Sequence, residues 1–164
     1  MKNKKLKPPK VDRSNIVVES SPIHGKGVFA AGLIKKGAAI IEYKGERISW
    51  KLAEKRHPHD PKDPNHTFYF SLEDGRVIDA KYGGNAARWI NHSCKPNCET
   101  REDLFGTEPR VFIYAKRLLK PDEELFYDYS LDVEGRVTKQ MKKDYACRCG
   151  AKKCRGTMLA LKEK

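Results

Sequence analysis

The stretch DAKYGGNAARWINHSCKPNC (79–98) decides the reading of this chain. Its last eight residues, NHSCKPNC (91–98), include seven side chains that can donate, accept or ligate. Such a segment is not plain core, because buried polar groups need partners. Two uses compete. Asn91 and His92 hold a polar ligand while Cys94 turns to a metal, or the segment is a hydrogen-bonded structural loop. Cys94 as a nucleophile is a third reading. His92 lies two residues away and would share its face on a strand, but no Ser-His-Asp or Cys-His order stands out.

Cysteine spacing extends the argument to the C-terminus. The five cysteines are Cys94, Cys98, Cys147, Cys149 and Cys154. The odd count argues against a disulfide scaffold. So does the basic N-terminus MKNKKLKPPKVDR (1–13), which runs into no apolar segment and is not read as a secretory signal. The run CRCGAKKC (147–154) supplies three thiols, and Lys152, Lys153 and Arg155 beside them favour thiolates. A structural zinc wants four ligands, so the fourth comes from elsewhere: Cys94 and Cys98 are the candidate thiols, and His92 fits by chemistry alone. A metal there would lay the tail against residues 91–98, build a cleft between the two segments, and couple metal binding to folding of the tail. The plain alternative is three reduced thiols near a surface loop.

Composition bounds the rest. The chain has 164 residues, enough for one domain or one domain with an appendage. Its 38% hydrophobic fraction supports one core and excludes a largely disordered chain. No segment approaches the roughly 20 apolar residues of a membrane span. The net charge of +12 sits at the two ends, since residues 14–138 carry 19 basic and 19 acidic side chains. Basic ends suggest proximity to a nucleic acid or another acidic surface; ordinary solubilising tails are the alternative.

Along the chain, short strands dominate. They are read over 16–19, within the glycine turn and strand of 21–30, over 39–43, and in GERIS (45–49) as a continuation of that sheet. A helix is read over Trp50–Arg56 with Ser49 as its cap. Residues 57–66 are a proline-rich loop. The clearest local feature is a hairpin, with 67–72 and 76–80 flanking Glu73-Asp74-Gly75. One or two helical turns are read over 85–90, strands over 110–115 and 125–129, and a polar linker over 132–144. HGKG (24–27) lets backbone approach a ligand closely, but it is neither a phosphate loop nor a dinucleotide fingerprint. ELFYDY (124–129) puts Leu125, Tyr127 and Tyr129 on one face, with Phe126 and Asp128 on the other. Its tyrosines can orient an amine or a water, or simply form an aromatic core strand with wet edges.

In order, HGKGVFA (24–30), EYKGE (42–46), residues 79–98, ELFYDYS (124–130) and CRCGAKKCRG (147–156) resemble the SET-domain protein lysine methyltransferases. The resemblance covers residues 16–159 and is nearest to the trithorax-like group. It implies a mainly β fold of small curved sheets with a knot-like crossing and a zinc-bound C-terminal tail. The implied organisation is a basic arm (1–15), SET domain (16–130), linker (131–144), post-SET zinc segment (145–159) and basic tail (160–164). The implied cofactor is S-adenosylmethionine, contacted by His24, Lys26, Gly27, Tyr43, Phe68, Arg88, Asn91 and His92. One structural zinc falls to Cys94, Cys147, Cys149 and Cys154, leaving Cys98 as a packed thiol. Tyr129 is the implied catalytic tyrosine, with Tyr127 beside it.

Tyr127 stands where the family holds Phe or Tyr; Tyr narrows the channel and implies mainly monomethylation. TFYF (67–70) departs from the family pattern. The family's tyrosine position falls on Phe68, so a hydroxyl that orients the amine is missing, and Tyr69 should face the other way on a regular strand. The implied substrate is a lysine-containing protein, with a histone tail or another basic chromatin-associated protein as default. Glu99, Glu102 and Asp103 are candidates to recruit it. A non-histone substrate, or a catalytically weak SET-fold binding module that needs an activating partner, is the alternative. The implied setting is intracellular, with no membrane partner: nucleus or chromosome for a eukaryotic source, cytoplasm or secretion into a host for a bacterial one.

Overall fold

The computed structural model describes residues 5–57, 67–133 and 135–160, so nearly all of the loop read over 57–66 lies outside the described residues. The chain runs through β1 (Ile16–Ser20), β2 (Lys26–Ala30), β3 (Ala39–Glu42), β4 (Glu46–Ile48) and helix α1 (Trp50–Arg56). It continues through β5 (Tyr69–Ser71), β6 (Val77–Asp79), a 3₁₀ turn (Ala86–Trp89) and β7 (Asn91–His92). The last elements are β8 (Cys98–Phe105), β9 (Glu108–Ala115), β10 (Phe126–Tyr127) and helix α2 (Lys139–Asp144). The strands form β1-β2, β3-β9-β8 and β4-β6-β5 antiparallel sheets and one parallel pair, β10-β7. The architecture is mainly β and built of small sheets, as the sequence implies.

Local chemistry accounts for the elements that were legible. Ser49 Oγ accepts the Leu52 N–H at 3.1 Å and caps α1. Gly75, at φ 89°, allows the turn between β5 and β6. The main core gathers Val28, Ile41, Ile78, Ile90, Ile113, Leu119 and Leu125 from β2, β3, β6, β9 and the segments between. A second, smaller core of Ile48, Ala53 and Val77 seats α1 on the β4-β6-β5 sheet. Arg56 at the end of α1 also reaches Glu46 at 2.8 Å and the fully buried Asp79 at 3.1 Å.

Four features differ from the sequence reading. β4 does not continue the sheet of β3 but pairs with β6. Gly45 is the reason: it lies so close to the Asp79 and Ala80 backbone that the chain passes directly onto β6. Strand β8 was not read, because its charged residues hide any alternation; it is the edge of its sheet, where charge suits an exposed strand. The aromatic strand over 125–129 shrinks to Phe126–Tyr127, and Asn91–His92 becomes its parallel partner, with Asn91 opposite Phe126 and His92 opposite Tyr127. The polar segment 132–144 contains α2, capped by Thr138 Oγ1 on Met141 N–H at 3.1 Å.

Asn97 holds the crossing of these segments. Its Nδ2 donates to the Glu124 carbonyl and its Oδ1 accepts the Phe126 N–H, both at 2.8 Å. The tail then returns: Leu131 bridges Leu159, and Ala146 bridges Thr157. No helix among the described residues is long and apolar enough to cross a membrane.

A Cβ at position 45 would lie 2.6 Å from the Asp79 carbonyl oxygen and 2.8 Å from Ala80 Cα. Gly45→Ala is therefore expected to destabilise the fold by about 1–3 kcal/mol, read as a lower denaturation midpoint with unchanged slope.

Candidate functional site

A cleft of about 1280 Å³ runs between the β7–β10 crossing, helix α1 and the returning tail. His24, Tyr43, Arg88, Asn91, His92, Tyr127 and Tyr129 all line it, together with Trp50 and Ala53 of α1 and Met158 and Leu159 of the tail. Residues scattered over the whole sequence thus share one wall.

Asn91 is the polar hub on one side. Its Nδ2 lies 3.2 Å from the His24 carbonyl, 3.0 Å from the Lys26 carbonyl and 2.9 Å from Glu124 Oε1. An amide nitrogen has two hydrogens, so three acceptors share them and acceptor capacity is left over. Glu124 is fixed in turn by Ser21 Oγ at 2.7 Å. Gly27 has no Cβ because the Glu124 carboxylate occupies that space. Arg88 lies over the rings of Phe68 and Trp89, at 5.6 and 4.7 Å, and its Nε is buried with no hydrogen-bond partner among the described residues.

His92 links this side to the tyrosines. Burial drives its pKa down to about 4, against the pull of Asp128, so the ring is neutral at neutral pH. Nδ1 accepts the Tyr129 N–H at 3.0 Å, which leaves the proton on Nε2, 3.5 Å from Cys94 Sγ. The Tyr129 hydroxyl donates to the Ile90 carbonyl. The rings of Tyr127 and Tyr129 meet at a tilt of 47°, with centroids 4.9 Å apart. Burial pushes both phenols, and that of Tyr43, above the ordinary tyrosine value, and Glu124 adds to the rise at Tyr129.

The four sulfur atoms of Cys94, Cys147, Cys149 and Cys154 all lie within 4.8 Å of one another. Cys94 Sγ is 3.7 Å from Cys147 Sγ and 3.9 Å from Cys154 Sγ. A tetrahedral ion with sulfur bonds of about 2.3 Å requires sulfurs about 3.8 Å apart, so the geometry fits a four-thiolate metal centre. Cys98 is not part of it. That thiol is 1% exposed in the main core, and burial pushes its pKa up to about 12.

Lys26 and Phe68 fall outside the cleft lining, whereas Tyr69 is part of it. Lys26 sits over Trp89 at 4.9 Å, and Phe68 meets Trp89 edge-on at 5.2 Å. Tyr69 faces away from Phe68, as regular alternation requires, and its hydroxyl donates to the Ala53 carbonyl at 2.8 Å. The acidic trio lies apart from the cleft. Glu99 pairs with Arg101, Glu102 accepts the Glu73 N–H at 3.1 Å, and neither these nor Asp103 line the cleft.

The sequence profile of the SET domain matches residues 25–130, well over half the chain. The chain belongs to the SET-domain family. Relatives include the histone-lysine N-methyltransferase trr of Drosophila melanogaster, 40% identical over 89% of this chain and 6% of the relative. ASHH1 of Arabidopsis thaliana, also a histone-lysine N-methyltransferase by name, is 43% identical over 80% of this chain and 26% of its own length. A chain in the crystal structure of the Chaetomium thermophilum polycomb repressive complex 2 matches with a TM-score of 0.67 and 31% identity, over 73% of this chain and 16% of that one. This SET domain thus spans a small part of the proteins it resembles.

Sequence reasoning missed two residues at this SET site. Glu124 opens the ELFYDY run but carries no motif signal; its role shows only through Gly27 and Asn91. Arg155 was read as a thiolate stabiliser, yet it forms a two-pronged pair with Asp128 at 2.7 and 2.8 Å. Burial alone would raise the Asp128 carboxyl, but Arg155 and the Ser130 N–H hold it at about 2.

The thiol cluster leads to a direct expectation. Elemental analysis should find about one zinc per chain, retained in Cys98→Ser and lost in Cys94→Ser. Equal zinc in both variants would contradict the ligand set.

Proposed function

We propose that this chain is the catalytic domain of a protein lysine methyltransferase that takes its methyl group from S-adenosylmethionine. The observation that carries this reading is the contacting pair Tyr127–Tyr129, both phenols protonated, on one cleft with Arg88, Asn91 and neutral His92. The substrate proposed is a basic chromatin-associated protein, with a histone tail as default, in line with the names of the relatives.

The residues present fit the cofactor. The unpartnered Nε of Arg88 suits a carboxylate. The acceptor-rich corner of His24 O, Lys26 O and Glu124 suits an ammonium group. When bound, the cofactor supplies a methyl group made electrophilic by a positively charged sulfur. His24, Arg88, Asn91 and His92 would hold it, with Tyr43 lining the same wall. Lys26, Gly27 and Phe68 support that wall: Lys26 and Phe68 pack on Trp89, and Gly27 makes room for Glu124.

The tyrosines do not act as bases, because their pKa values are raised. Tyr129 is the proposed catalytic residue, aligning the amine, and Tyr127 narrows the space beside it. The amine must arrive neutral from a reference pKa of about 10.4, and a dry channel disfavours its ammonium form. Tyr127 supports monomethylation as the main outcome. Phe68 brings no hydroxyl, and Tyr69 does not replace it because its own is spent on Ala53.

The thiolate centre is proposed to hold one zinc with four protein ligands and no open position, which makes it structural rather than catalytic. The paired segments 91–98 and 124–129 support a knot-like crossing. The ending CRCGAKKCRG (147–156) supports placement with the trithorax-like group. The reading also supports the domain division at residues 16–130 and 145–159, a nuclear setting for a eukaryotic source, and nucleic-acid proximity through the basic termini. Phe68 favours a second reading: a weak SET-fold module that needs an activating protein partner.

Labelled methyl should pass from S-adenosylmethionine to lysine when zinc-replete protein is mixed with core histones or a whole lysate. Tyr129→Phe should lower turnover about 100-fold with the fold intact. Cofactor binding without transfer would favour the silent module. The pH profile is a separate check. Turnover should climb with pH toward the substrate lysine's pKa of about 10.4. A break near neutral pH that vanishes in Tyr127→Phe would contradict protonated phenols.

A further inference from the structure

Arg155 belongs to the tail, one residue after the metal-cluster thiol Cys154. Asp128 lies in sequence between Tyr127 and Tyr129, whose rings are in contact. Their side chains meet in a fork, Nη1 to Oδ2 at 2.7 Å and Nη2 to Oδ1 at 2.8 Å. The guanidinium also holds its own segment: Nε donates to the Leu159 carbonyl at 3.1 Å. Asp128 in turn accepts the Ser130 N–H at 2.9 Å and thereby closes the turn in which Ser130 takes φ 44°, a conformation that favours glycine. The pair is part-buried, with the side chains 21% and 31% exposed.

A second connection runs alongside the first. The Tyr129 N–H donates to His92 Nδ1, and His92 Nε2 faces Cys94 Sγ. The segment Tyr127–Asp128–Tyr129 is thus gripped from both ends of the thiolate cluster, from Cys94 through a neutral imidazole and from Cys154 through Arg155. Tail docking and tyrosine orientation share the same bonds.

We propose that Arg155 is a positioning residue: by pairing with Asp128 it makes docking of the metal-bound tail set the geometry of Tyr127 and Tyr129. Resting on the methyltransferase reading, this adds a residue that lies outside the cleft lining and acts through Asp128. The fork explains why the position calls for arginine, since lysine keeps the charge but forms only one such bond.

The test uses Arg155→Ala, Arg155→Lys, Asp128→Asn and the double variant Arg155→Ala/Asp128→Asn in the full chain, loaded with zinc. Zinc per chain should stay as in the parent, because all four thiols remain. In Arg155→Ala, kcat should fall about tenfold or more, while KM for a lysine peptide moves less. Amide exchange at Tyr129 and Ser130 should speed up. Arg155→Lys should recover part of both effects. The double variant should be no worse than the worse single, since both remove one interaction.

Parental kcat and exchange in zinc-loaded Arg155→Ala would overturn the proposal. So would a double variant whose loss is the product of the singles. Loss of zinc from Arg155→Ala would place the residue in tail folding instead and overturn it too. If the parent chain transfers no methyl group while amide exchange still responds to Arg155, the methyltransferase reading fails and the coupling stands.

Discussion

Asn97 joins two segments that lie far apart in sequence. Through its two 2.8 Å bonds to Glu124 and Phe126 it holds β10 beside β7. That parallel pairing is only two residues long, and parallel pairs need support from elsewhere. The support is the buried amide itself and the core on either side, where Ile90 and Leu125 are 1% and 0% exposed. The cleft depends on this crossing. It sets Asn91 against Phe126 and His92 against Tyr127, brings Tyr129 to His92, and leaves Cys94 where the tail can reach it.

Burial then tunes the groups so assembled. His92 is kept neutral, so Nδ1 accepts from the Tyr129 backbone and Nε2 turns its proton toward Cys94 Sγ. The phenols stay protonated. Asp128 is the exception, held ionised by Arg155. The result is a wall of fixed dipoles without a strong base, which suits transfer to an amine that arrives already neutral.

How much of this was legible varies with the physics. The hairpin around Gly75 and the Ser49 cap were plain, because turn chemistry and capping are local. The polar run 91–98 was plain as something other than core, because so many polar groups in one place need partners, but its residues alone left a ligand site and a structural loop both open. The fourth thiol was not decided by spacing, since Cys94 and Cys98 are both near enough in sequence. The fold decides it by turning Cys98 into the core. Strand β8 was hidden because an edge strand need not alternate, and α2 was hidden in a polar segment with only a cap to mark it. The contacts of Arg155 and Glu124 were invisible for a common reason: each reaches a partner far away in sequence.

The central claim is that the tail carrying the cysteine cluster and the tyrosine wall form one unit. The most direct measurement is a calorimetric titration of S-adenosylmethionine into metal-loaded protein and into the same protein stripped by a chelator. The account predicts that stripping weakens binding about tenfold or more, because tail and wall come apart together, and that restoring zinc restores the affinity. Unchanged affinity in the stripped protein would contradict it.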